Sequence, residues 1–267
     1  MSLFDLTDKT AVVTGAGGLI GKALCAALSD AGAIVAVCDI DFNKAISLTS
    51  DIANNSFPVE LDVTKSESIQ SANELIINNT GRIDILINNA AINDIFDSDS
   101  SILEQSSFEN YPLELWEKSF EVNVTGTFLS CKIFGNEMAK RNNGSIINVA
   151  STYGIVGPDQ AIYKDENGKQ KFYKSPSYPA GKGAIVNFTR FLAAYWGKNG
   201  VRVNTLSPGG VFDGQDKYFV ENYSKKTMLG RMATPDDYKG PVVFLASDSS
   251  SYMTGANLVI DGGWTAW

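Results

Sequence analysis

Short apolar runs alternate along most of the chain with segments that carry apolar residues at helical spacing. Apolar runs of this kind are typical of strands in a parallel sheet, because both faces of such a strand are buried. The pattern predicts a doubly wound α/β fold with about seven parallel strands and helices on both faces of the sheet. The predicted strands are residues 11–14, 33–38, 57–61, 83–87, 145–149, 201–206 and 257–260.

Helices are predicted between these strands, at residues 19–31, near 43–53, from 178 to about 199, and after Pro235. A chain of 267 residues is long enough for one large α/β domain. No repeat, low-complexity tract or linker interrupts the alternation. We therefore expect residues 1–267 to form a single domain.

The composition is that of a globular protein, with 44% hydrophobic and 19% charged residues. No apolar run approaches the roughly 20 residues that a membrane-spanning helix needs. The first residues also lack the basic and then apolar order of a signal peptide. We expect a cytoplasmic protein without a membrane partner, and the net charge of −8 argues against nucleic acid as a partner.

The chain contains no histidine, and this absence narrows the possible chemistry. It excludes Ser-His-Asp triads, Cys-His nucleophiles and nearly all zinc-hydrolase arrangements. Cys25, Cys38 and Cys131 lie far apart in apolar segments, so we expect buried free thiols and no metal site. Acid–base chemistry near neutral pH must then come from a tyrosine, a lysine or a carboxylate with a shifted pKa.

Glycines cluster at residues 14–21, between the first predicted strand and the first predicted helix. Gly15, Gly18 and Gly21 allow a tight turn, and the helix N-terminus offers free N–H groups to a pyrophosphate. Asp39, at the end of the second strand, can accept both hydroxyls of an adenosine ribose and would repel a 2′-phosphate. No Arg or Lys stands in the loop or just after Asp39, so NAD is predicted in preference to NADP. Taken alone, the loop could also be a plain strand–helix turn.

Tyr178 and Lys182 stand four residues apart in a segment with a helical pattern. Side chains at this spacing lie on one face of a helix. A nearby ammonium lowers the pKa of a phenol from its ordinary value of about 10 toward the working pH. Tyr163 and Tyr173 have no lysine four positions later, so Tyr178 is the candidate for proton transfer.

Further motifs follow one another along the chain. They are Asp62-Val63, the sequence Asn-Asn-Ala-Ala at 88–91, Asn-Val-Thr-Gly at 123–126, Ile-Asn-Val-Ala-Ser at 147–151, Pro208-Gly209, and the glycine-rich segment at 254–263. With the glycine loop and the Tyr178–Lys182 pair, they resemble the compact branch of the short-chain dehydrogenase/reductase family over nearly the whole chain. The chain is similar in particular to members of sugar and polysaccharide pathways.

The resemblance implies a Rossmann domain and a catalytic set of Asn123, Ser151, Tyr178 and Lys182. In that set Tyr178 exchanges a proton with the substrate oxygen, and Ser151 donates a hydrogen bond to the same oxygen. Lys182 lowers the pKa of Tyr178 and holds the nicotinamide ribose. Asn123 positions a water that relays protons to Lys182.

The resemblance also implies which residues contact the dinucleotide. They are Gly15, Gly18, Leu19, Ile20, Gly21, Asp39, Ile40, Asp62, Val63, Asn89, Ala90, Ala91, Tyr178, Lys182, Pro208, Gly209 and Val211.

The sequence departs from the family pattern at several positions. The glycine spacing is that of the family's longer, sugar-nucleotide-modifying branch, and Leu19 replaces a glycine of the compact branch. Ala91 also replaces a glycine. Asp213 stands where a threonine commonly contacts the carboxamide of the cofactor.

Two segments are longer than in the compact family, residues 92–112 and residues 157–177. Both follow the carboxyl ends of strands, where open α/β sheets bind ligands. Loops of this length in a compact domain are usually functional or mobile. We expect either a polar lid over a hydroxyl-rich, possibly anionic substrate, or a solvated flap.

The residues and the resemblance together predict hydride transfer between NAD(H) and the CH–OH or ketone group of a polar, sugar-like small molecule. One alternative is a sugar epimerase or dehydratase that retains its NAD. A second is a non-catalytic dinucleotide-binding protein. The family resemblance implies a homo-oligomer, a tetramer or a dimer, and the apolar tail at residues 263–267 is consistent with burial at an interface.

Overall fold

The computed structural model describes residues 3–94 and 102–267 of the chain. Its centre is a parallel sheet of seven strands in the order β3-β2-β1-β4-β5-β6-β7. The strands are β1 (Thr10–Thr14), β2 (Ile34–Asp39), β3 (Phe57–Glu60), β4 (Ile85–Asn88), β5 (Gly144–Val149), β6 (Val201–Pro208) and β7 (Asn257–Ile260).

Helices connect the strands and cover both faces of the sheet. They are α1 (Leu19–Asp30), α2 (Phe42–Ser50), α3 (Ser66–Thr80), α4 (Ile102–Ser106), α5 (Leu113–Phe120), α6 (Gly126–Ser130), α7 (Asn136–Lys140), α8 (Ser177–Trp196), α9 (Lys217–Ser224) and α10 (Lys239–Ala246). Two π turns, Glu121–Thr125 and Cys131–Gly135, join α5, α6 and α7 end to end. Within the described residues, every helix is too short or too polar to cross a lipid bilayer.

The predicted fold class is confirmed: all seven predicted strands are present, and they form one doubly wound parallel sheet. The boundaries differ by a few residues. The helix predicted near 43–53 ends at Ser50 with Asp51 as its C-cap, and Asn54 and Asn55 follow with positive φ angles of 60° and 55°.

Each strand sends alternate apolar side chains to opposite faces of the sheet. Val13 points into the core under α1 and α10, where Leu24 and Leu245 are fully buried. Its neighbour Val12 points into the core under α3, α7 and α8, together with Phe134. Because both faces of the sheet are buried, the strands are continuous apolar runs and do not alternate between apolar and polar residues.

The order of the strands reverses between β1 and β4. Crossovers on the two sides of this point pass to opposite faces of the sheet, so a crevice opens outside the carboxyl ends of the strands. The glycine loop leaves β1 at this edge and the segment from Asn89 leaves β4 beside it. Ser151, which follows β5, lies along the same edge.

Candidate active site

The glycine-rich loop between β1 and α1 is shaped by two positions at which no side chain fits. Gly15 has a φ of +62°, and a Cβ there would lie 2.6 Å from the Cα of Ala90. A Cβ on Gly21 would lie 2.5 Å from the carbonyl oxygen of Gly15. Because glycine tolerates both approaches, the loop turns tightly and α1 packs directly against it.

The first turn of α1 presents free backbone donors. The helix begins at Leu19 with Gly18 as its N-cap, and no side chain caps it. The first N–H groups of a helix have no acceptor within the helix, and the helix dipole adds positive potential at the same place. Leu19 and Ile20 line the cavity above the sheet. This helix end therefore fits the pyrophosphate of a dinucleotide.

Asn89 fixes the shape of the glycine loop from the neighbouring strand. Its side-chain amide donates to the carbonyl oxygens of Thr14 and Gly15, at 3.2 and 2.9 Å. The hydroxyl of Thr14 in turn accepts from the backbone N–H groups of Asn89 and Ala90, each at 3.1 Å. The segment after β4 therefore supports the loop from below as well as lining the cavity.

Asp39 ends β2 and is buried beside the loop. Its carboxylate accepts from the N–H of Gly17 at 2.8 Å and from the N–H of Asp41 at 2.9 Å. Each oxygen retains a lone pair for a ribose hydroxyl. Ile40 lines the cavity beside it, and so does Lys44, which the sequence did not place here. The ammonium of Lys44 pairs with Asp41 at 3.5 Å.

Asp62 and Val63 follow β3 and continue the wall of the cavity. Asp62 accepts from the N–H and the hydroxyl of Thr64, at 3.0 and 2.7 Å, and pairs with Lys65 at 3.1 Å. Burial raises the pKa of Asp62, but these contacts outweigh burial and hold the pKa below its usual value. The side chain is thus an ionised acceptor in a fixed position.

Tyr178 and Lys182 lie in the first two turns of α8, as predicted. Lys182 is buried, and its Nζ donates to the carbonyl oxygen of Val149 at the end of β5, at 2.8 Å. Its Nζ lies 5.8 Å from the centroid of the Tyr178 ring. The hydrogen bond ties the active-site helix to the edge of the sheet.

Ser151 follows β5, and its hydroxyl accepts from the N–H of Tyr153 at 3.1 Å. This bond caps the short 3₁₀ turn Thr152–Gly154. A Cβ on Gly154 would lie 2.7 Å from the carbonyl oxygen of Lys182. The turn can therefore pack against the backbone of α8, which sets Ser151 beside the phenol of Tyr178.

The predicted effect of Lys182 on the pKa of Tyr178 needs correction. Burial raises the pKa of Tyr178, and the hydrogen bond with Ser151 lowers it by less. Burial and the positive charge of Lys174 bring the pKa of Lys182 itself down to about 8. In the ligand-free protein Tyr178 is therefore protonated at neutral pH, which is the form that can donate a proton to a ketone oxygen.

Asn123 lies within the first π turn and is buried. Its side-chain oxygen accepts from the N–H of Ile92 at 2.8 Å, and its amide donates to the carbonyl of Ile92 at 3.1 Å and to Ser119 at 3.2 Å. Its backbone carbonyl oxygen accepts a hydrogen bond from the hydroxyl of Thr127 at 3.0 Å. The side chain thus clamps the segment after β4.

Lys174 is a second lysine beside Tyr178, and sequence reasoning gave it no role. Its Nζ lies 4.2 Å from the centroid of the Tyr178 ring and donates to the side-chain oxygen of Asn93 at 3.0 Å. The sequence offered one indication of this position, since Lys174 stands four residues before Tyr178. Pro176 precedes α8, however, so Lys174 reaches the ring from outside the helix.

We call residues 157–177 the strap. The ring of Tyr163 packs on Phe172 and Phe219, with centroids 4.8 and 5.6 Å away, and its hydroxyl bonds that of Tyr153 at 3.0 Å. The part of the strap around Tyr163 is therefore a packed aromatic wall of the cavity, whereas Lys164 and residues 166–169 are exposed to solvent.

The other insertion, residues 92–112, is described except for residues 95–101. It contacts the strap beside the site: Ser106 accepts from the N–H of Tyr173 at 3.0 Å. The hydroxyl of Tyr111 donates to Asp94 at 2.8 Å and lies 3.0 Å from that of Ser177. The two insertions thus support each other.

The segment after β6 closes the far side of the cavity. Gly209 donates its N–H to Ile260 at 2.9 Å, and Gly210 donates to the hydroxyl of Tyr223 at 2.5 Å. Asp213, in the position that the family gives to a threonine, lines the cavity. In the C-terminal tail, Trp264 stacks on Tyr223 with centroids 4.3 Å apart, so it packs within the chain.

These elements enclose one cavity of about 760 Å³, which contains both the glycine loop and Tyr178. Most residues predicted from the sequence line it, whereas Gly21 and Asn123 lie behind it. The lining includes Gly15, Gly18, Leu19, Ile20, Asp39, Ile40, Asp62, Val63, Asn89, Ala90, Ala91, Ser151, Tyr178, Lys182, Pro208, Gly209 and Val211. The sequence did not identify Tyr153, Lys174, Phe219 and Tyr223 as lining residues, because their positions depend on how the strap and α9 fold.

Comparison with protein families finds a match over residues 15–265 to a family model described as enoyl-(acyl carrier protein) reductase. Among curated proteins, the chain is 33% identical to the NAD-dependent glycerol dehydrogenase of Listeria innocua, over 98% of this chain and 96% of the relative. It is 34% identical to the D-threitol dehydrogenase of Mycolicibacterium smegmatis, over 98% of this chain and 95% of the relative.

Solved structures give the same picture. A short-chain type dehydrogenase/reductase from Mycobacterium marinum matches with a TM-score of 0.86 and 30% identity, over 100% of both chains. A gluconate 5-dehydrogenase from Burkholderia cenocepacia, in complex with NADP and tartrate, matches with a TM-score of 0.85 and 27% identity, over 99% of this chain and 98% of that chain.

The burial of Lys174 predicts an unusual pH dependence of stability. Burial lowers the pKa of Lys174 to about 8, and Asp94 opposes this only in part. Between pH 8 and the ordinary pKa of lysine, the unfolded chain therefore binds more protons than the folded protein. Below pH 8 Lys174 lowers the free energy of unfolding by its full amount, and this destabilisation becomes smaller as the pH rises above 8. Lys174→Met should stabilise the ligand-free protein at pH 7 by about 1–2 kcal/mol, after allowance for partial exposure.

Thermal melts at pH 7 and pH 9.5 measure this effect. The gain in melting temperature of Lys174→Met over the wild type should be largest at pH 7 and smaller at pH 9.5. Lys169→Met is the matched control, because Lys169 is exposed on the same strap. An equal gain in both variants, or a loss of stability in Lys174→Met at pH 7, would contradict the prediction.

Proposed function

Because this chain belongs to the short-chain dehydrogenase/reductase family, we propose that it transfers a hydride between NAD(H) and the CH–OH or ketone group of a sugar-like small molecule. One observation carries the proposal. Ser151, Tyr178 and Lys182 open into the same cavity as the glycine loop and Asp39. A dinucleotide held at the loop therefore shares its site with a proton donor.

The residues around the loop fit such a cofactor. The uncapped end of α1 would hold the pyrophosphate, and Asp39 would accept the hydroxyls of the adenosine ribose. The carboxylate of Asp39 supports NAD over NADP, since a 2′-phosphate would meet a negative charge. Lys44 lies at the same end of the cavity, but it is paired with Asp41. NADP, which the gluconate 5-dehydrogenase relative binds in its complex, is the second candidate.

When bound, the nicotinamide cofactor accepts or supplies the hydride. Tyr178 exchanges the proton with the substrate oxygen, and Ser151 donates a hydrogen bond that stabilises the charge developing on that oxygen. Lys182 would hold the hydroxyls of the nicotinamide ribose. We further propose that the carbonyl of Asn123 holds the water that supplies Lys182, because the side chain of Asn123 is fully engaged by Ile92 and Ser119.

The substrate class follows from the relatives and from the lining of the cavity. Relatives of similar identity are named for glycerol, D-threitol and gluconate. In this chain Tyr153 and Tyr223 line the cavity in one aromatic cluster with Tyr178, which gives the substrate end an apolar wall. A polar substrate with several hydroxyls fits this combination of apolar wall and convergent polar groups.

Two alternatives remain from the sequence. An NAD-retaining sugar epimerase or dehydratase would use the same residues and would keep its cofactor through purification. A non-catalytic binding protein would have no use for Tyr178 and Ser151 in the cavity. Cofactor absorbance in the purified protein would indicate the NAD-retaining enzyme. Reduction of added NAD would indicate a dehydrogenase, and binding of NAD without any turnover would indicate the non-catalytic protein.

We also propose a homo-oligomer. Phe191 and Tyr195 on α8 are 61% and 66% exposed, and their rings stack with centroids 6.0 Å apart. Phe188 and Phe128 extend the same row. An exposed row of stacked aromatic rings on one helix is the kind of surface that a second copy would cover.

Replacing Tyr178 by Phe tests the proton donor. The variant should lose about 100- to 10,000-fold in kcat, because the ring stays and only the exchangeable proton is removed. NADH affinity, measured by fluorescence titration, should stay within about threefold of the wild type, since the ring still fills its place. Tyr173→Phe is the control, because this tyrosine lies on the strap outside the catalytic group. Substantial residual turnover in Tyr178→Phe would refute the assigned role.

Replacing Asp39 by Asn tests the cofactor preference. The dissociation constant of NADH should rise about 10- to 100-fold, because hydrogen bonds to a charged acceptor are lost. NADPH should be affected less or should bind better. Asp51→Asn, at the exposed end of α2, should change neither value. If NADPH already binds the wild type as tightly as NADH does, the assignment of NAD is wrong.

Replacing Phe191 by Glu tests the oligomer. Light scattering of the wild type should give a multiple of the chain mass of 28.8 kDa, and the variant should shift toward 28.8 kDa because a charge would be buried at the interface. Leu75→Glu, on an exposed face of α3, should leave the mass unchanged. A monomeric wild type would contradict the proposed homo-oligomer.

A further inference from the structure

Lys174 differs from the other lysines of the strap in where its side chain lies. Lys164 and Lys169 are exposed to solvent, and Lys171 pairs with Asp216 on α9 at 3.5 Å. Lys174 alone among them lines the cavity. The strap therefore delivers one positive charge to the substrate end of the site.

The backbone of Lys174 is held in place rather than left to vary. The side chain of Gln160 accepts from its N–H at 2.8 Å and donates to its carbonyl at 3.2 Å. The preceding residue, Tyr173, donates its N–H to Ser106. A lysine fixed from both sides is positioned for a contact, unlike a lysine on a solvated loop.

The ammonium of Lys174 can donate more hydrogen bonds than it makes within the described residues. A lysine offers three N–H donors, and in the described part of the chain this one makes a single hydrogen bond, to Asn93. The carboxylate of Asp94, next to Asn93, already accepts the hydroxyl of Tyr111 at 2.8 Å and forms no ion pair with Lys174. The remaining donors lie beside the ring of Tyr178, at which the substrate oxygen would bind.

Lys182, the second cation here, also lacks an ion-pair partner in residues 3–94 and 102–267. Within the described residues, neither ammonium group has an ion-pair partner, and both line the part of the cavity around Tyr178. Lys182 is buried and Lys174 is half-buried, and charges removed from water are costly unless an opposite charge compensates them. A neutral polyol would leave this imbalance in place, whereas an anion would remove it.

We propose that Lys174 is the receptor for an anionic group, a carboxylate or a phosphate, on the substrate that reacts at Tyr178. The proposal rests on the dehydrogenase function proposed above and narrows its substrate class from neutral polyols to sugar acids or sugar phosphates. The relatives do not decide the matter, since glycerol and D-threitol are neutral and gluconate is anionic.

The test compares the wild type with Lys174→Met, Lys174→Arg and the control Lys169→Met, each with saturating NAD. The substrate panel has three arms: neutral polyols (glycerol, threitol, sorbitol), sugar acids (gluconate) and sugar phosphates (glucose 6-phosphate, glycerol 3-phosphate). Calorimetry of the NADH-loaded proteins with tartrate and with inorganic phosphate measures anion binding without turnover. NADH affinity confirms that each variant is folded.

We expect turnover in one anionic arm, and that arm identifies the group as a carboxylate or a phosphate. In Lys174→Met the KM for that substrate should rise about 10- to 100-fold with kcat nearly unchanged, because a charge-assisted contact is lost. Lys174→Arg should retain most of the affinity, and Lys169→Met should match the wild type. With neutral polyols the KM should not rise in this way, because these substrates carry no charge for Lys174 to bind.

The outcomes separate this inference from the proposed function. Turnover of neutral polyols alone, with no binding of tartrate or phosphate, would keep the dehydrogenase and overturn the anion receptor. An equal loss on neutral and anionic substrates, or a fall in kcat alone, would also overturn it. If nothing is turned over, loss of tartrate or phosphate binding in Lys174→Met but not in Lys169→Met would still support the receptor, and absence of binding in the wild type would refute it.

Discussion

The ammonium of Lys182 is buried and has no ion-pair partner among the residues that the structure describes, and the candidate active site is organised around that constraint. Its hydrogen bond to Val149 joins α8 to the end of β5. Gly154 lets the turn after Ser151 pack against the backbone of the same lysine. Because an uncompensated buried charge is costly, the strand end, the turn and the helix must be in register before Ser151 and Tyr178 can meet a substrate.

The topology of the sheet gives the two ends of the cavity opposite charges. At the adenosine end, β2 and β3 terminate in Asp39 and Asp62, which accept hydrogen bonds from neighbouring backbone groups. At the substrate end lie Lys182 on α8 and Lys174 on the strap. The uncapped helix α1 lies on the other side of the strand-order reversal, where its positive end would face the pyrophosphate of the proposed cofactor. The site thus has acceptors for ribose hydroxyls at one end and free cationic donors at the other.

The sheet and the glycine loop could be predicted because their signals are local. Strands buried on both faces read as apolar runs, and Gly15 stands where a side chain would strike Ala90. The pKa of Tyr178 could not be predicted from its spacing to Lys182, because burial under the strap acts more strongly than the neighbouring groups. The place of Lys174 depends on Pro176, which keeps it out of α8, and on its clamp by Gln160. Contacts of this kind within a folded loop do not produce a repeating pattern of apolar and polar residues from which they could be predicted.

The two lysines also link substrate charge to proton transfer. The positive charge of Lys174 is one cause of the lowered pKa of Lys182. An anion bound at Lys174 would offset that repulsion and thereby favour the protonated form of Lys182. By linkage, a protonated Lys182 would in turn favour the anion. Protein carboxylates in that position would remove the repulsion permanently and fill the space in front of Tyr178. Because Lys174 forms no ion pair within the described residues, the ionisation of Lys182 would depend on the arrival of a substrate with the opposite charge.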